Sequence, residues 1–137
     1  MPTKRSLMIA AAMLGLPSLA PAPPAFAHGP SRGPNGGQMQ DIGAYHGELL
    51  AEGGRLTFFL FDANDRPLSA TGATATAIVL AGGRQQTLAF APRPDGTALV
   101  ATGDFRADPS LRVVVQLVPA AGQPRILARY APIEATR

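Results

Sequence analysis

The chain has 137 residues, of which 12 are Lys or Arg, 9 are Asp or Glu and two are His, and it contains no Cys and no Trp. Without cysteine, the protein has neither disulfides nor a thiolate that acts as nucleophile or metal ligand. Beyond residue 27 the basic residues are all arginine, and they nearly balance the nine acidic residues. This balance removes the electrostatic basis for nucleic-acid binding.

Residues 1–27 have the layout of a secretory signal peptide. Two basic residues open the segment, residues 6–19 are apolar, and the sequence Ala25-Phe26-Ala27 is a small-residue cleavage motif. The apolar stretch is too short to span a bilayer. Cleavage after this motif predicts a periplasmic protein that begins at His28 and has no membrane span.

The rest of the chain predicts an arm followed by a β-sandwich. Residues 28–41 are rich in Gly, Pro, Asn and Gln, which favours a flexible arm. Over residues 42–137, short apolar runs alternate with turn residues at the spacing of an all-β sandwich. The predicted strands span residues 43–50, 55–61, 74–80, 85–90, 98–102, 111–118 and 125–130. Their number favours a small seven-stranded immunoglobulin-like sandwich with Greek-key connections.

Alternation within these strands predicts the core, because every second side chain of a strand points to the same face. In the absence of Trp, the core has to be built from aliphatic residues and Phe. The residues expected to point inward are Phe58, Leu60, Leu88, Phe90, Val113, Val115 and Leu117.

Two residue types and the sequence motifs used in covalent catalysis are missing beyond residue 27. No Lys or Cys is present there, and none of the three Ser lies in a Gly-x-Ser-x-Gly elbow. Residues 33–37 lack the Lys-Ser/Thr pair that ends a phosphate-binding loop. Residues 62–66 begin like a calcium loop, but Pro67 stands where the essential glycine belongs, so a hairpin turn is predicted. The sequence therefore predicts a protein that is not an enzyme.

A metal site is the remaining chemistry, and its candidate ligands lie near the predicted N-terminus. An N-terminal His28 offers its α-amine and ring Nδ1, which close a chelate ring on one ion. Such nitrogen donors favour Cu(II), with zinc, nickel or cobalt as the next candidates. The full set of candidate ligands is His28, Met39, Asp41, His46 and Glu48.

The strand pattern relates these candidates to one another. His46 and Glu48 are two residues apart in a predicted strand, so they are expected on the same outer face. The glycine-rich arm is long enough to bring His28 beside them. Each candidate also has a structural alternative: a bystander at a chain end for His28, an ordinary strand histidine for His46, and packing or turn roles for Met39, Asp41 and Glu48.

The segment HGPSRGPNGGQMQDIGAYHGELL, residues 28–50, resembles a motif of small exported proteins and domains associated with copper and cobalt-zinc-cadmium efflux in Gram-negative bacteria. The matching positions are Gly33, Pro34, Gly36, Gly37, Asp41, Gly43, Tyr45, His46, Glu48 and Leu49. Related sequences often have a histidine directly before the Gly-Pro-x-Gly-Gly run, where this chain has Arg32. The resemblance covers about a fifth of the chain beyond residue 27, and it implies heavy-metal binding beside an efflux pump.

We therefore expect a periplasmic transition-metal-binding accessory or carrier protein, with copper as the favoured ion and an adaptor subunit of an efflux pump as its partner. The alternative is a metal-independent β-sandwich that docks on another envelope protein through a sheet edge. A copper-dependent oxidative enzyme with a histidine brace is disfavoured, because the chain is short and has no aromatic platform for a polysaccharide.

Overall fold

The structure is a computed structural model that describes residues 15, 17–18, 20 and 31–131. The described part contains ten strands and no helix, and so no helix there is long and apolar enough to cross a membrane. The strands are β1 (Ser31–Arg32), β2 (Gln38–Ile42), β3 (Tyr45–Glu52), β4 (Arg55–Phe61), β5 (Thr74–Ala81), β6 (Arg84–Ala89), β7 (Ala91–Pro92), β8 (Leu99–Thr102), β9 (Arg112–Val118) and β10 (Ile126–Tyr130).

The strands form two antiparallel sheets, which confirms the all-β sandwich. One sheet has six strands in the order β1-β2-β3-β4-β8-β7, and the other has four in the order β10-β9-β5-β6. The chain changes sheet between β4 and β5, between β6 and β7, and between β8 and β9. All seven predicted strands are present, and the strand count is higher than predicted because β1, β2 and β7 add to them.

The core lies between the two sheets, where strand alternation buries one face of each. Leu49, Phe58 and Leu99 contribute from the six-stranded sheet, and Val79 and Val115 contribute from the other. Of the predicted inward set, Phe58, Leu60, Val113, Val115 and Leu117 are buried. Leu88, on the edge strand β6, and Phe90, the residue after β6, are only partly buried, but both pack against the core.

A single tyrosine ties the two sheets together at one end of the core. The Tyr130 hydroxyl of β10 donates a 2.8 Å hydrogen bond to the Gly47 carbonyl of β3. A Cβ at position 47 would overlap the Phe58 ring, so this close approach requires glycine. Burial raises the pKa of the Tyr130 hydroxyl well above its usual range, and the Glu48 carboxylate adds to the rise.

The prediction of a flexible arm is wrong for residues 31–41, which are the part of the arm that the structure describes. Residues 38–42 form β2, which pairs along its whole length with β3, from Gln38 opposite Leu49 to Ile42 opposite Tyr45. Residues 31–32 form β1, which pairs with the start of β2. The sequence does not predict β1 and β2, because β2 is mostly polar and is stabilised by its pairing with β3. His28 lies outside the described residues.

Candidate functional site

A cavity of about 750 Å³ lies at the β2 edge of the six-stranded sheet. Its lining comprises Ser31, Arg32, Gly33, Pro34, Gln38, Met39, Gln40, Asp41, His46, Phe61, Asp65 and Ala131. In β2, Gln38 and Gln40 alternate with Met39 and Asp41, so the two pairs point to opposite faces of the sheet. Since all four line the cavity, it extends around the sheet edge, where β1 is only two residues long.

His46 is the central polar group on the outer side of this cavity. Its ring Nδ1 lies 2.5 Å from Asp65 Oδ1, and its Nε2 lies 3.2 Å from Asp41 Oδ1. The histidine side chain is 28% exposed, whereas the aspartates are 88% and 69% exposed and sit at the mouth. An ionised carboxylate only accepts hydrogen bonds, so Nδ1 carries the hydrogen in the short contact with Asp65. The imidazole is therefore held between two carboxylates on opposite edges of its ring.

Asp65 is a member of this cluster that the sequence did not suggest, because residues 62–66 were interpreted as a hairpin turn. Residues 62–66 do form the turn that follows β4. Asp62 shapes it by accepting hydrogen bonds from the backbone N–H groups of Asn64 (2.8 Å) and Arg66 (3.0 Å). The bond from Arg66 is the main reason that the pKa of Asp62 lies below its usual value. Asp65 adopts a φ of 60°, which is uncommon outside glycine, and its carboxylate reaches His46.

Glu48 is placed on the same face of β3 as His46, as predicted, but it is fully buried. Its Oε1 accepts hydrogen bonds from the backbone N–H groups of Asn35 (2.9 Å) and Gly37 (2.8 Å), and its Oε2 accepts one from Asn35 Nδ2 (2.8 Å). The carboxylate therefore fastens the turn formed by residues 33–37 onto the sheet. It does not line the cavity with His46.

Steric constraints explain glycine in the Gly-Pro-x-Gly-Gly run, residues 33–37. Residues 33–37 close a tight turn, in which the Gly33 N–H donates to the Gly37 carbonyl (2.9 Å) and the Gly36 N–H donates to the Gly33 carbonyl (3.1 Å). A Cβ at position 33 would overlap the Glu48 carboxyl group. The tight turn of residues 33–37 and the buried Glu48 carboxylate therefore depend on each other in this chain.

Of the other candidate ligands, Met39 and Asp41 line the cavity, and His28 lies outside the described residues. Met39 is half-buried in the cavity lining, and Asp41 contacts His46 directly. Thus the structure brings Met39, Asp41 and His46 together, adds Asp65, and separates Glu48 from them. In the described part of the chain, no three His, Asp or Glu side chains converge as a preformed metal site. The two aspartates contact different ring nitrogens, which explains why the cluster does not converge on one point.

Gln38 is a second feature of the cavity lining that the sequence did not predict. The residue is 6% exposed, and neither its Nε2 nor its Oε1 has a hydrogen-bond partner within residues 31–131. Nothing in the polar stretch around it distinguishes Gln38 from Gln40 by pattern alone. Only the packing of β1 and β3 on either side of β2 shows that this amide is buried.

The chain was compared with known protein families, curated proteins and solved structures, and none of them matches it. The fold and site therefore define a class in general terms only. The protein is an all-β sandwich with a histidine–aspartate cluster at an edge cavity.

Proposed function

We propose that the protein is an exported carrier or accessory protein that binds a transition metal, preferentially copper, and serves heavy-metal efflux. The observation that carries the proposal is the pairing of His46 with Asp41 and Asp65 beside the cavity. The resemblance of residues 28–50 to efflux-associated proteins supplies the biological setting of the proposal.

The two aspartates have different roles in this proposal. Metal-binding histidines commonly donate their second ring N–H to a carboxylate, which fixes the ring and its tautomer. Asp65 accepts such a hydrogen bond from Nδ1, and Nε2 becomes a metal ligand when the ion displaces the proton that it shares with Asp41. Asp41 then supplies an oxygen ligand beside it.

The separation of the two ligand atoms suits a shared ion. Nitrogen and oxygen ligands lie about 2.0–2.2 Å from zinc, and neighbouring ligands on such an ion are therefore about 3 Å apart. The 3.2 Å between His46 Nε2 and Asp41 Oδ1 falls in that range. Entry of the ion replaces a contact that is already present, and so little rearrangement of these two side chains is needed.

The remaining ligands in the proposal come from His28 and Met39. His28 is three positions before Ser31, which lines the cavity, and an extended span of that length reaches about 10 Å. The α-amine and Nδ1 of an N-terminal His28 then complete a four-coordinate site. Met39, in the cavity lining, offers a thioether suited to Cu(I). Glu48 has no part as a ligand, because its oxygens already hold the turn of residues 33–37.

Metal titration of the exported protein tests the proposal. Equilibrium dialysis against Cu(II), Zn(II) and Ni(II) is expected to give one site, tightest for Cu(II), and Cu(II) should raise the melting temperature. Absence of binding below millimolar concentration would reject the proposal, and a metal-insensitive melting temperature would favour the metal-independent interaction module. Insertion of one alanine before His28 should weaken Cu(II) binding, because the α-amine moves away from the ring that completes its chelate.

The link to efflux has its own test. Cross-linking in the cell envelope in the presence of copper should capture an adaptor subunit of an efflux pump. If the protein binds metal but no adaptor subunit is captured, the proposed role in efflux is wrong.

A further inference from the structure

Asn35 is the residue of the turn 33–37 whose side chain is held by the sheet. Its backbone N–H donates to Glu48 Oε1 (2.9 Å), and its Nδ2 donates to Glu48 Oε2 (2.8 Å). The Glu48 carboxylate is fully buried, whereas Asn35 itself is exposed. The Asn35 side chain therefore links a surface turn to a carboxylate that solvent does not reach.

The residue that follows Asn35 makes its side chain chemically labile. The side-chain amide of an asparagine is open to attack by the backbone nitrogen of the next residue, and glycine hinders this attack least because it has no Cβ. Gly36 also has a φ of 86°, in the region that favours glycine. The other asparagine of the chain, Asn64, precedes Asp65, whose side chain hinders the same attack.

The reaction is deamidation, and water is the only co-reactant that it needs. The Gly36 nitrogen forms a bond to Asn35 Cγ, the Cγ–Nδ2 bond breaks, and ammonia leaves with the proton of the Gly36 nitrogen. One water molecule then opens the five-membered imide, which gives an aspartate at position 35 or its isomer with the main chain through the side-chain carbon. Both products carry one more negative charge than Asn35 and have lost the Nδ2 donor.

The closed turn opposes this reaction. Glu48 holds the leaving Nδ2 group, and the Gly36 N–H donates to the Gly33 carbonyl (3.1 Å). Attack requires both hydrogen bonds to break, so it proceeds from molecules in which the turn has opened. Native proteins open locally in this way at a lower free energy than global unfolding requires. We therefore expect the rate of deamidation at Asn35 to depend on the strength of the Glu48 contacts.

The product of the reaction is incompatible with the closed turn. A carboxylate at position 35 faces Glu48 Oε2 across the 2.8 Å that the hydrogen bond spans in the unmodified protein. Two carboxylates that share a buried site repel each other, and neither donates a hydrogen bond when ionised. Gly33 and Pro34 of the same turn line the cavity, so displacement of the turn removes one of the cavity walls.

We propose that Asn35 is a modification site, at which deamidation releases the turn of residues 33–37 and opens the cavity. The step runs in one direction because ammonia is lost to solvent, and so modified molecules accumulate with the age of the protein. The proposal goes beyond metal binding and does not depend on it. No metal ion takes part in the reaction, and the tests use metal-free protein, so failure of the metal site leaves their results unaffected.

The first test follows both asparagines by peptide mass spectrometry while the protein is incubated at mildly alkaline pH. Asn35 should be converted faster than Asn64 in the same sample, and more slowly than in the chain unfolded by urea. Glu48→Ala should speed the conversion of Asn35 at least about tenfold, because it releases Nδ2 and the turn. Glu52→Ala, at the exposed end of β3, is the control and should leave the rate unchanged.

A second substitution at the same position keeps this test decisive. If Glu48→Ala does not fold, Glu48→Gln repeats the measurement with an amide oxygen, which accepts hydrogen bonds more weakly than a carboxylate. The same rate in a folded Glu48 variant and in the unchanged protein would overturn the proposal. So would the absence of converted Asn35 in the folded protein after the unfolded chain has reacted completely.

A pair of variants tests what the product does to the turn. Asn35→Asp introduces the carboxylate, and Asn35→Ala is the matched control, which loses the same Nδ2 hydrogen bond without adding charge. Asn35→Asp should melt at least about 4 °C below Asn35→Ala. Its Gly37 N–H, which Glu48 holds at 2.8 Å, should exchange with solvent at least about tenfold faster. The same melting temperature or the same Gly37 exchange in the two variants would overturn the proposal.

Discussion

His46 Nδ1 lies 2.5 Å from Asp65 Oδ1, although 19 positions separate the two residues in the sequence. The contact joins β3 to the turn that follows β4, and Asp62 fixes the shape of that turn. The orientation of the imidazole in the candidate site is therefore set by a turn that the sequence did not connect with His46.

Removal of Asp65 tests whether this orientation matters for metal binding. Asp65→Ala is expected to weaken Cu(II) binding about 10- to 100-fold, the usual cost of losing a carboxylate that orients a ligating histidine. Equilibrium dialysis measures the change. Asp104→Ala is the control, because Asp104 is 91% exposed and contacts Arg84 away from the cavity. Equal affinities for Asp65→Ala and the unchanged protein would show that Asp65 does not support the site.

Glu48 is expected to contribute to stability. Glu48→Ala leaves the N–H groups of Asn35 and Gly37 without their acceptor, and the free energy of unfolding should fall by about 3 kcal/mol. Urea unfolding followed by circular dichroism measures the loss. Glu52→Ala, on the exposed end of the same strand, should change stability by less than about 0.5 kcal/mol. Similar small effects of both substitutions would mean that Glu48 does not fasten the turn.

Gly33 provides an independent test of the same contact. Gly33→Ala should destabilise the protein by about 1–3 kcal/mol, because the added Cβ overlaps Glu48. In the double variant with Glu48→Ala the overlap is gone, so the combined loss should be smaller than the two single losses together. Strict additivity would contradict the steric account of this glycine.

Tyr130 is expected to lower the free energy of unfolding at alkaline pH. Its folded-state pKa is raised, so its contribution to stability is complete below the unfolded pKa of about 10 and is lost as the pH rises above that value. The slope approaches about 1.4 kcal/mol per pH unit for one group. Tyr130→Phe removes the hydrogen bond to Gly47 and should cost about 1 kcal/mol at pH 8.

A comparison of the unchanged protein with Tyr130→Phe isolates the effect of ionising the Tyr130 hydroxyl. Between pH 10 and 11.5 the unchanged protein should lose stability faster than Tyr130→Phe, because the variant has nothing to ionise at that position. Tyr45, the other tyrosine, is present in both proteins and cancels. Parallel pH profiles would show that the Tyr130 hydroxyl is not protected by burial.

Gln38→Leu is expected to raise stability, in contrast to most substitutions of buried residues. The leucine removes two unpartnered polar atoms and adds apolar contact beside Leu49, so a gain of about 1–2 kcal/mol is predicted. Differential scanning calorimetry measures the shift in melting temperature. A clear loss of stability would mean that the amide has a partner in the folded protein.

The strands of the sandwich were predictable because their signal is local. The alternating burial in Thr74–Ala81 and Arg112–Val118 follows directly from a strand with one buried face. β2 was missed for the opposite reason. It is a polar strand, and the turn before it is held by Glu48, which lies 11 positions beyond Gly37.

The candidate site was predictable only in part. His46 and Asp41 were predicted as ligands from their residue types, and the register places them opposite each other in β3 and β2. Asp65 and Gln38 were not found, because one contacts His46 through a distant turn and the other differs from nearby glutamines only in burial. Glu48 shares the predicted face, but its burial under residues 33–37 depends on tertiary packing.

The most direct measurement of the central claim is Cu(II) binding to the protein and to His46→Ala, by equilibrium dialysis at neutral pH. The unchanged protein is predicted to bind about one Cu(II) tightly, and His46→Ala at least about tenfold more weakly, as expected for loss of a ligand. The same affinity in both proteins would contradict a metal site at His46.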